Sequence, residues 1–398
     1  MIPYGHQWIE EDDVAAVTEV LRSDWLTTGP WVERFEGALA EAVGARYAVA
    51  VCNGTAALHL ACLAAGVGPG DVVVTSPITF VASANCALYC GAMPIFVDID
   101  PETRNLSPVR LRHAAGIAKF AGRPLQGAVI PVHYAGLPCA LPEVAAVAGA
   151  HGLVVIEDAC HALGAEYRVE DGSWCRVGSC RHSAMAVFSF HPVKHITTGE
   201  GGAVTTNDPE LYRRLLLLRN HGITRDPDRL GAQPGGWYYE QQELGCNYRL
   251  TDIQAALGLS QLRKLDRFVA RRRALAALYD VALAGLDELL TLPPEPEGYW
   301  SAYHLYAVQL RLERLRGGRR AVYDALRAAG IGVQVHYLPV HLQPYYRDRL
   351  GYEAGDFPAA EAYYEGTLSL PMYPQLSDAD AARVAATLRQ TIMALVAA

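Results

Sequence analysis

Three short stretches of this chain contain residue types that could bind a phosphate, a protonated nitrogen and an aldehyde carbon. Gly54 and Thr55 open an alanine- and leucine-rich helix after an apolar run, where free backbone N–H groups can bind an anion. Asp158 directly follows another apolar run, and its carboxylate needs a cationic partner because an unpaired buried charge is costly. Lys194 lies in a turn rich in proline and glycine, where a desolvated amine with a lowered pKa could form a Schiff base.

Each of these stretches also has an ordinary structural explanation. Asn53 or Thr55 could serve only as a helix N-cap, Asp158 could pair with an arginine or a helix terminus, and an isolated lysine is usually solvated. The order of the features favours the chemical explanation, since a phosphate-binding helix start is followed by an acid after a strand and then by Ser189 and Lys194 in one turn. This is the arrangement of a fold type I site for pyridoxal 5'-phosphate (PLP).

Such residues need an α/β scaffold, because ligands of open parallel sheets bind beyond the carboxyl ends of the strands. Short apolar runs alternate with helix-length segments, and this pattern predicts a mostly parallel sheet covered on both faces. The predicted strands are residues 47–51, 72–75, 94–97, 127–132, 154–157, 184–188 and 202–205, and two amphipathic helices at 10–23 and 31–43 precede them.

A second, smaller unit is predicted after a proline-rich hinge at residues 292–298. One long helix is expected over 251–284 before the hinge. The predicted elements beyond it are a strand at 304–310, a helix at 318–329, a strand at 332–336 and a helix at 378–395. We therefore predict a large PLP-binding α/β domain over residues 1–284 and a small α+β domain over residues 285–398.

Composition excludes several other classes of protein. Of the 398 residues, 51% are hydrophobic and 19% charged, which is too apolar for a disordered chain. A net charge of -8 argues against nucleic-acid binding. The nine cysteines are scattered without a C-x-x-C pair, so neither a disulfide framework nor a metal site is expected. With no secretory signal and no run of about 18 apolar residues, we expect a cytoplasmic protein that does not bind membranes.

Longer motifs resemble the DegT/DnrJ/StrS family of sugar-nucleotide aminotransferases along the whole chain. The matching segments are Ser-Pro-Ile-Thr-Phe-Val-Ala at 76–82, Asp-Ala-Cys-His-Ala-Leu-Gly at 158–164, Phe-Ser-Phe-His-Pro-Val-Lys at 188–194, Ile-Thr-Thr-Gly-Glu-Gly-Gly at 196–202, the segment 245–258 and Gln-Val-His-Tyr at 334–337. Within the family, the overall likeness is greatest to a member of the pathway to pseudaminic acid, and segments 134–136 and 334–337 contribute to it.

The resemblance implies a fold type I PLP-dependent aminotransferase. Lys194 would hold the cofactor covalently and carry a proton between substrate and cofactor, while Asp158 would keep the pyridine nitrogen protonated. The implied cofactor contacts are Gly54, Thr55, Phe80, Asp158, His161, Ser189, Lys194 and Asn247. Phe80 would stack on the ring, although core packing is the commoner use of phenylalanine. His195, next to the lysine, has no role in this interpretation.

The resemblance also implies a homodimer with shared active sites. Asn247 and Arg249 would reach the partner's site, Asn247 at the phosphate and Arg249 at the carboxylate of L-glutamate, the amino donor. Without the family, a capping asparagine and a solvated arginine explain them equally well. The nucleotide-linked keto sugar would contact Tyr4, Trp25, Leu26, Thr27, Arg249, His336 and Tyr337. The loop 222–243 could cover the site or simply connect its neighbours.

The leading functional hypothesis is transfer of the amino group of L-glutamate to carbon 4 of a UDP-linked 4-keto-6-deoxy-N-acetylhexosamine, in pseudaminic acid biosynthesis. A dTDP- or GDP-linked keto sugar is the alternative substrate. A non-catalytic sugar-nucleotide sensor is a third possibility, which the presence of Lys194 disfavours.

Overall fold

The computed structural model describes residues 1–120 and 126–396, so residues 121–125 of the predicted large domain and 397–398 of the small one lie outside the described residues. The helices are α1 (Glu11–Leu21), α2 (Pro30–Val43), α3 (Gly54–Ala64), α4 (Ala82–Tyr89), α5 (Pro108–Phe120), α6 (Leu141–Ala150), α7 (Pro209–Arg219), α8 (Asp252–Leu262), α9 (Leu265–Leu283), α10 (Gly318–Ala328), α11 (Pro344–Leu350), α12 (Pro358–Gly366) and α13 (Asp378–Leu395). The strands are β1 (Tyr47–Val51), β2 (Val72–Thr75), β3 (Met93–Phe96), β4 (Gly127–Ile130), β5 (Leu153–Asp158), β6 (Glu166–Arg168), β7 (Trp174–Arg176), β8 (Met185–Ser189), β9 (Gly202–Thr206), β10 (Ile223–Thr224), β11 (Glu240–Gln241), β12 (Leu290–Thr291), β13 (Tyr299–Trp300), β14 (Tyr306–Leu310) and β15 (Thr367–Leu370).

Seven strands form the central sheet in the order β1-β9-β8-β5-β4-β2-β3. The pairs from β8 through to β3 are parallel, and β9 runs antiparallel to both of its neighbours. The strands are largely buried, as expected of continuous apolar runs covered on both faces. The predicted α/β architecture of fold type I is confirmed.

The helix predicted over 251–284 is wrong as a single element. Helix α8 ends at Leu262 and α9 begins at Leu265, with Lys264 at the break. The Lys264 amine lies 2.5 Å from Asp12 and 2.8 Å from Asp13 of α1. The break therefore coincides with a contact to a helix some 250 residues earlier, which local helical periodicity does not encode.

The C-terminal part contains a three-stranded sheet in the order β12-β14-β15, with α9, α10 and α13 contributing to its core. The strand predicted at 332–336 is wrong. Gln334 makes only an isolated bridge to Ser369, while the N–H of Gly332 donates to the carbonyl of Ile2 at 2.7 Å. The core of this part also includes Ile2 and Leu275, so the division between residues 284 and 285 stays a proposal.

All nine cysteines are free thiols; six are buried, and Cys52 and Cys160 pack against an apolar core. Among the described helices, none combines the length and the apolar character that crossing a bilayer requires.

Candidate active site

A cavity of about 530 Å³ lies beyond the carboxyl ends of β1, β5 and β8. Parallel strands deliver their following residues to one edge of a sheet, so residues distant in sequence meet here. Ten of the fifteen predicted site residues line the cavity: Tyr4, Gly54, Thr55, Phe80, Asp158, His161, Ser189, Lys194, His336 and Tyr337. The volume is in the range of small-molecule sites.

The N-terminus of α3 forms one end of the cavity. The Asn53 side chain accepts a hydrogen bond from the Ala56 N–H at 2.8 Å, which starts the helix immediately beside the cavity. A Cβ atom at Gly54 would lie 3.0 Å from Cβ of Ser189, and one at Gly202 would lie 2.6 Å from the Asn53 carbonyl carbon. Close packing of β8 and β9 thus holds this helix start in place, with hydroxyl groups beside it.

The Asp158 carboxylate is buried at the end of β5. It accepts hydrogen bonds from Ser83 Oγ at 2.6 Å and from the Cys160 N–H at 3.2 Å. Among the described residues it has no cationic partner within ion-pair distance, so it remains available to a positively charged ligand group in the cavity. Ser83 was not predicted, although it immediately follows the segment 76–82 that carries part of the resemblance.

The Lys194 side chain keeps some accessible surface and lines the same cavity. Burial lowers the pKa of its amine, and the Arg272 guanidinium lowers it further. The thiol of Cys160 and the carboxylate of Asp158 act in the opposite direction and raise this pKa. The lowered pKa favours the neutral amine, which is the nucleophilic form.

Several buried histidines surround the lysine. His161 Nε2 lies 3.2 Å from the Tyr337 hydroxyl, and the His304 ring packs on the His161 ring with 4.2 Å between centroids. Burial lowers the pKa of both rings well below the ordinary histidine value, so they are neutral at pH 7. His304 was missed because the sequence shows only a histidine before an apolar strand. His195 Nε2 contacts the Ala302 carbonyl at 3.1 Å, which assigns this side chain a packing role.

The C-terminal part supplies the aromatic wall of the cavity. His336 Nδ1 lies 2.9 Å from Ser369 Oγ, and its carbonyl accepts a hydrogen bond from the Tyr134 hydroxyl at 2.7 Å. Burial lowers the pKa of His336 to about 4. The Tyr4 ring lies 5.7 Å from the His336 ring between centroids, so the N-terminal segment and this wall meet at the cavity.

The other five predicted residues do not line the cavity. They are Trp25, Leu26, Thr27, Asn247 and Arg249. Their two segments lie against each other, because Thr27 forms a bridge with Thr251 and the Leu26 carbonyl accepts from the Asp252 N–H at 3.1 Å. Arg249 donates to Asn220 Oδ1 at 2.6 Å, and the side chains of Trp25 and Leu26 are half-exposed.

Residues 7–389 match the sequence pattern of the DegT/DnrJ/EryC1/StrS aminotransferase family. The chain belongs to this family. It is 41% identical over 392 residues to the spore coat polysaccharide biosynthesis protein SpsC of Bacillus subtilis, covering 98% of this chain and 97% of that protein. It also superposes on Helicobacter pylori PseC, an aminotransferase involved in the biosynthesis of pseudaminic acid, with a TM-score of 0.88, 30% identity and coverage of 99% and 100%. For the aminotransferase TlmJ of Streptoalloteichus hindustanus the TM-score is 0.86, with 33% identity and 99% of each chain covered.

The protein is therefore an aminotransferase, and its cofactor is PLP, on which this family depends. The cavity fits that group in three independent respects. The start of α3 offers backbone N–H groups and nearby hydroxyls for a phosphate, a buried carboxylate without a cationic partner among the described residues suits a protonated ring nitrogen, and a desolvated amine suits the aldehyde.

Proposed function

We propose that this aminotransferase transfers the amino group of L-glutamate to carbon 4 of a UDP-linked 4-keto-6-deoxy-N-acetylhexosamine. The observation that carries the aminotransferase chemistry is the meeting of Lys194, Asp158 and the N-terminus of α3 in one cavity. The names of two relatives, one in spore coat polysaccharide biosynthesis and one in pseudaminic acid biosynthesis, support a sugar substrate.

In this proposal each residue of the cavity has a separate role in the reaction. PLP, when bound, supplies an electron sink for the bonds at the reacting carbon. Asp158 holds a proton at the pyridine nitrogen, and Ser83 and the Cys160 N–H fix the carboxylate that does so. Lys194, whose lowered pKa favours the neutral amine, would provide the covalent attachment and then move the proton at the substrate carbon. The Phe80 side chain, which lines the cavity, would cover the ring.

The pocket for the keto sugar lies on the aromatic side of the same cavity. Tyr4, His336 and Tyr337 combine ring faces with hydrogen-bonding tips, which is the usual composition of a site that orients a polar ligand. His336 is neutral at pH 7, so it can accept or donate a hydrogen bond to a sugar hydroxyl without adding charge. Trp25, Leu26 and Thr27 would complete the pocket from the segment that lies outside the cavity of their own chain.

The test is an amination assay with the purified holoenzyme, L-glutamate and a panel of UDP-, dTDP- and GDP-linked 4-keto sugars. Product mass and 2-oxoglutarate release are measured together, and the Lys194→Ala protein is the control. We expect fastest turnover with the UDP-linked 4-keto-6-deoxy-N-acetylhexosamine. Faster turnover of a dTDP- or GDP-linked sugar would overturn the substrate assignment. Binding of keto sugars without turnover of any of them would instead indicate a sensor.

We infer further that the active enzyme is a homodimer in which Asn247 and Arg249 act at the partner's cavity. Both residues lie outside the cavity of their own chain. The neighbouring Trp25 and Leu26 are half-exposed apolar side chains, as is Phe80 at the cavity mouth. Large exposed apolar side chains of this kind are used in interfaces. A two-fold dimer would bury these side chains. Each subunit would then contribute to its partner's site the same residues that its own site receives.

Mixing two inactive variants tests this inference. A Lys194→Ala chain paired with an Arg249→Ala chain retains one intact site, so random exchange should restore about one quarter of wild-type activity. The matched control mixes Lys194→Ala with Asp158→Asn, which lie in the same chain's cavity, and it should restore nothing. If the first mixture also fails after subunit exchange has been confirmed by mass spectrometry, Arg249 does not act across an interface.

A further inference from the structure

A second cavity, of about 370 Å³, lies between α9 and the small antiparallel sheet β13-β6-β7. It shares no lining residue with the 530 Å³ cavity. The proposed amination assigns this second cavity no role.

One wall of the second cavity is a single face of the small sheet. The strand register places Trp300 beside Glu166 and Glu166 beside Arg176, so these side chains form a row across the three strands. Trp174 precedes Arg176 by two residues and lies on the same face, because side chains alternate along a strand. The opposite face carries Tyr167, which is buried in the main core. The row is therefore on the outer face of a rigidly anchored sheet.

The other wall is one face of α9. Asp266, Ala270 and Arg273 follow at intervals of four and three residues, which brings them to the same side of a helix. The Arg273 guanidinium lies 3.5 Å from the centroid of the Trp300 ring, and its Nη1 donates to Glu295 Oε1 at 2.5 Å. These contacts fix the helix wall against the sheet wall.

Both arginines of the lining are paired with glutamates. Arg176 pairs with Glu166 at 3.2 Å and Arg273 pairs with Glu295 at 2.5 Å, so both guanidinium groups already have an anion. That arrangement leaves no unpaired cation among the described lining residues for a phosphate. The Asp266 carboxylate has no ion pair in the described part of the chain and can accept hydrogen bonds from hydroxyl groups.

The indole rings supply the apolar part of the cavity. Trp174 is 49% exposed and Trp300 is 44% exposed, although the Arg273 guanidinium packs on the Trp300 ring. A pyranose ring has a flat C–H face that packs on an indole and a rim of hydroxyls that bond to carboxylates and guanidinium groups. We propose that this cavity, defined by Glu166, Trp174, Arg176, Asp266, Arg273 and Trp300, is a binding site for a neutral saccharide.

Calorimetric titration of the holoenzyme with cellotriose and with N,N'-diacetylchitobiose tests the site. Trp174→Ala should weaken binding by about tenfold or more, as removal of an aromatic anchor does. Asp266→Asn conserves the size of the side chain and should weaken binding several-fold through the loss of a strong acceptor. The matched control is Trp237→Ala, which removes an indole that is 74% exposed but outside the cavity, and should leave the affinity unchanged.

Three outcomes would overturn the proposal. One is an equal loss in Trp174→Ala and Trp237→Ala, which would indicate nonspecific contact with exposed indoles. The second is a loss in Phe80→Ala but not in Trp174→Ala, which would place the saccharide in the PLP cavity. The third is the absence of binding for both saccharides in a protein that unfolds with its normal thermal transition. Because binding is measured without L-glutamate or a nucleotide sugar, a failed amination assay leaves this result unaffected.

Discussion

Lys194 and Lys264 are two of the three lysines in the chain, and the structure surrounds their amines in opposite ways. The Lys264 amine lies 2.5 Å from Asp12, 2.8 Å from Asp13 and 3.4 Å from Glu10. Burial opposes the charge, but the hydrogen bonds and attraction of the aspartates outweigh it and raise the pKa. The Lys264 amine therefore stays charged and ties α1 to the break between α8 and α9.

Lys194 has no such set of carboxylates among the described residues. The Cys160 thiol and the Asp158 carboxylate raise its pKa, but neither forms an ion pair with the amine among the described residues. Burial and the Arg272 guanidinium act in the opposite direction, and the net pKa is lowered. The difference between the two lysines is therefore direct contact: carboxylates within ion-pair distance keep the Lys264 amine charged, whereas the Lys194 amine has none among the described residues.

The largest expected effect comes from Lys194→Ala. Turnover should fall by at least about 10³-fold, since the covalent attachment and the proton transfer are lost together. The apoprotein should keep its thermal midpoint, because this amine makes no ion pair in the described residues. Turnover, cofactor absorbance and thermal unfolding of the apoprotein are the measurements. If Lys194→Ala retained turnover, or if its thermal midpoint fell strongly, Lys194 would not differ from Lys264 in the way described.

Asp158→Asn should have the next largest effect. The substitution conserves size but removes the charge that keeps the ring nitrogen protonated, so turnover should fall by about 10²-fold. The cofactor should remain bound, because the start of α3 and Lys194 are unchanged. Turnover and the cofactor content after gel filtration test this together. A near-normal rate would mean that the carboxylate is only structural.

Lys264→Met should change stability and leave the chemistry alone. The free energy of unfolding should fall by about 2–3 kcal/mol, because Asp13 would remain buried without its cation. Turnover should stay within about twofold of wild type, since Lys264 does not line the 530 Å³ cavity. Denaturant unfolding measures the first quantity. Lys264→Arg is the control that keeps the charge, and it should recover part of the loss.

Lys264 also predicts a sign for the dependence of stability on pH. Its pKa is raised in the folded state, so its contribution is complete below the ordinary lysine value of about 10.4 and is lost as the pH rises through the folded pKa. The wild type should therefore lose its advantage over Lys264→Met only in strongly alkaline solution. An advantage that disappears near neutral pH would exclude this assignment.

The smallest expected effect concerns the pH at which apoprotein combines with PLP. The neutral amine is the reactive form, so the rate should rise with pH and reach half its limit below the ordinary lysine value. In Asp158→Asn this midpoint should move lower still, since the carboxylate opposes the lowering of the lysine pKa. Stopped-flow absorbance measures both. A midpoint at or above about 10.4 would show that burial does not control Lys194.

The positions of Asp158 and Lys194 could be predicted because a parallel sheet collects the residues after its strands at one edge, and apolar runs identify those strands. The contacts of Ser83 and His304 could not be predicted from the sequence. They depend on how α4 and the start of the C-terminal part pack against this edge of the sheet. The break at Lys264 depends on carboxylates of α1, and the hydrophobic periodicity of residues 251–284 contains no information about these distant residues.

Replacement of Gly202 would displace a part of the cofactor cavity that residue 202 does not itself line. A Cβ atom there would lie 2.6 Å from the carbonyl group of Asn53 and 2.7 Å from the Gly54 nitrogen. Any larger residue must therefore push the first turn of α3 away from β9, although position 202 offers the cofactor no functional group of its own. Variants at this position should rank in cofactor retention by side-chain volume, with polarity and charge of secondary importance.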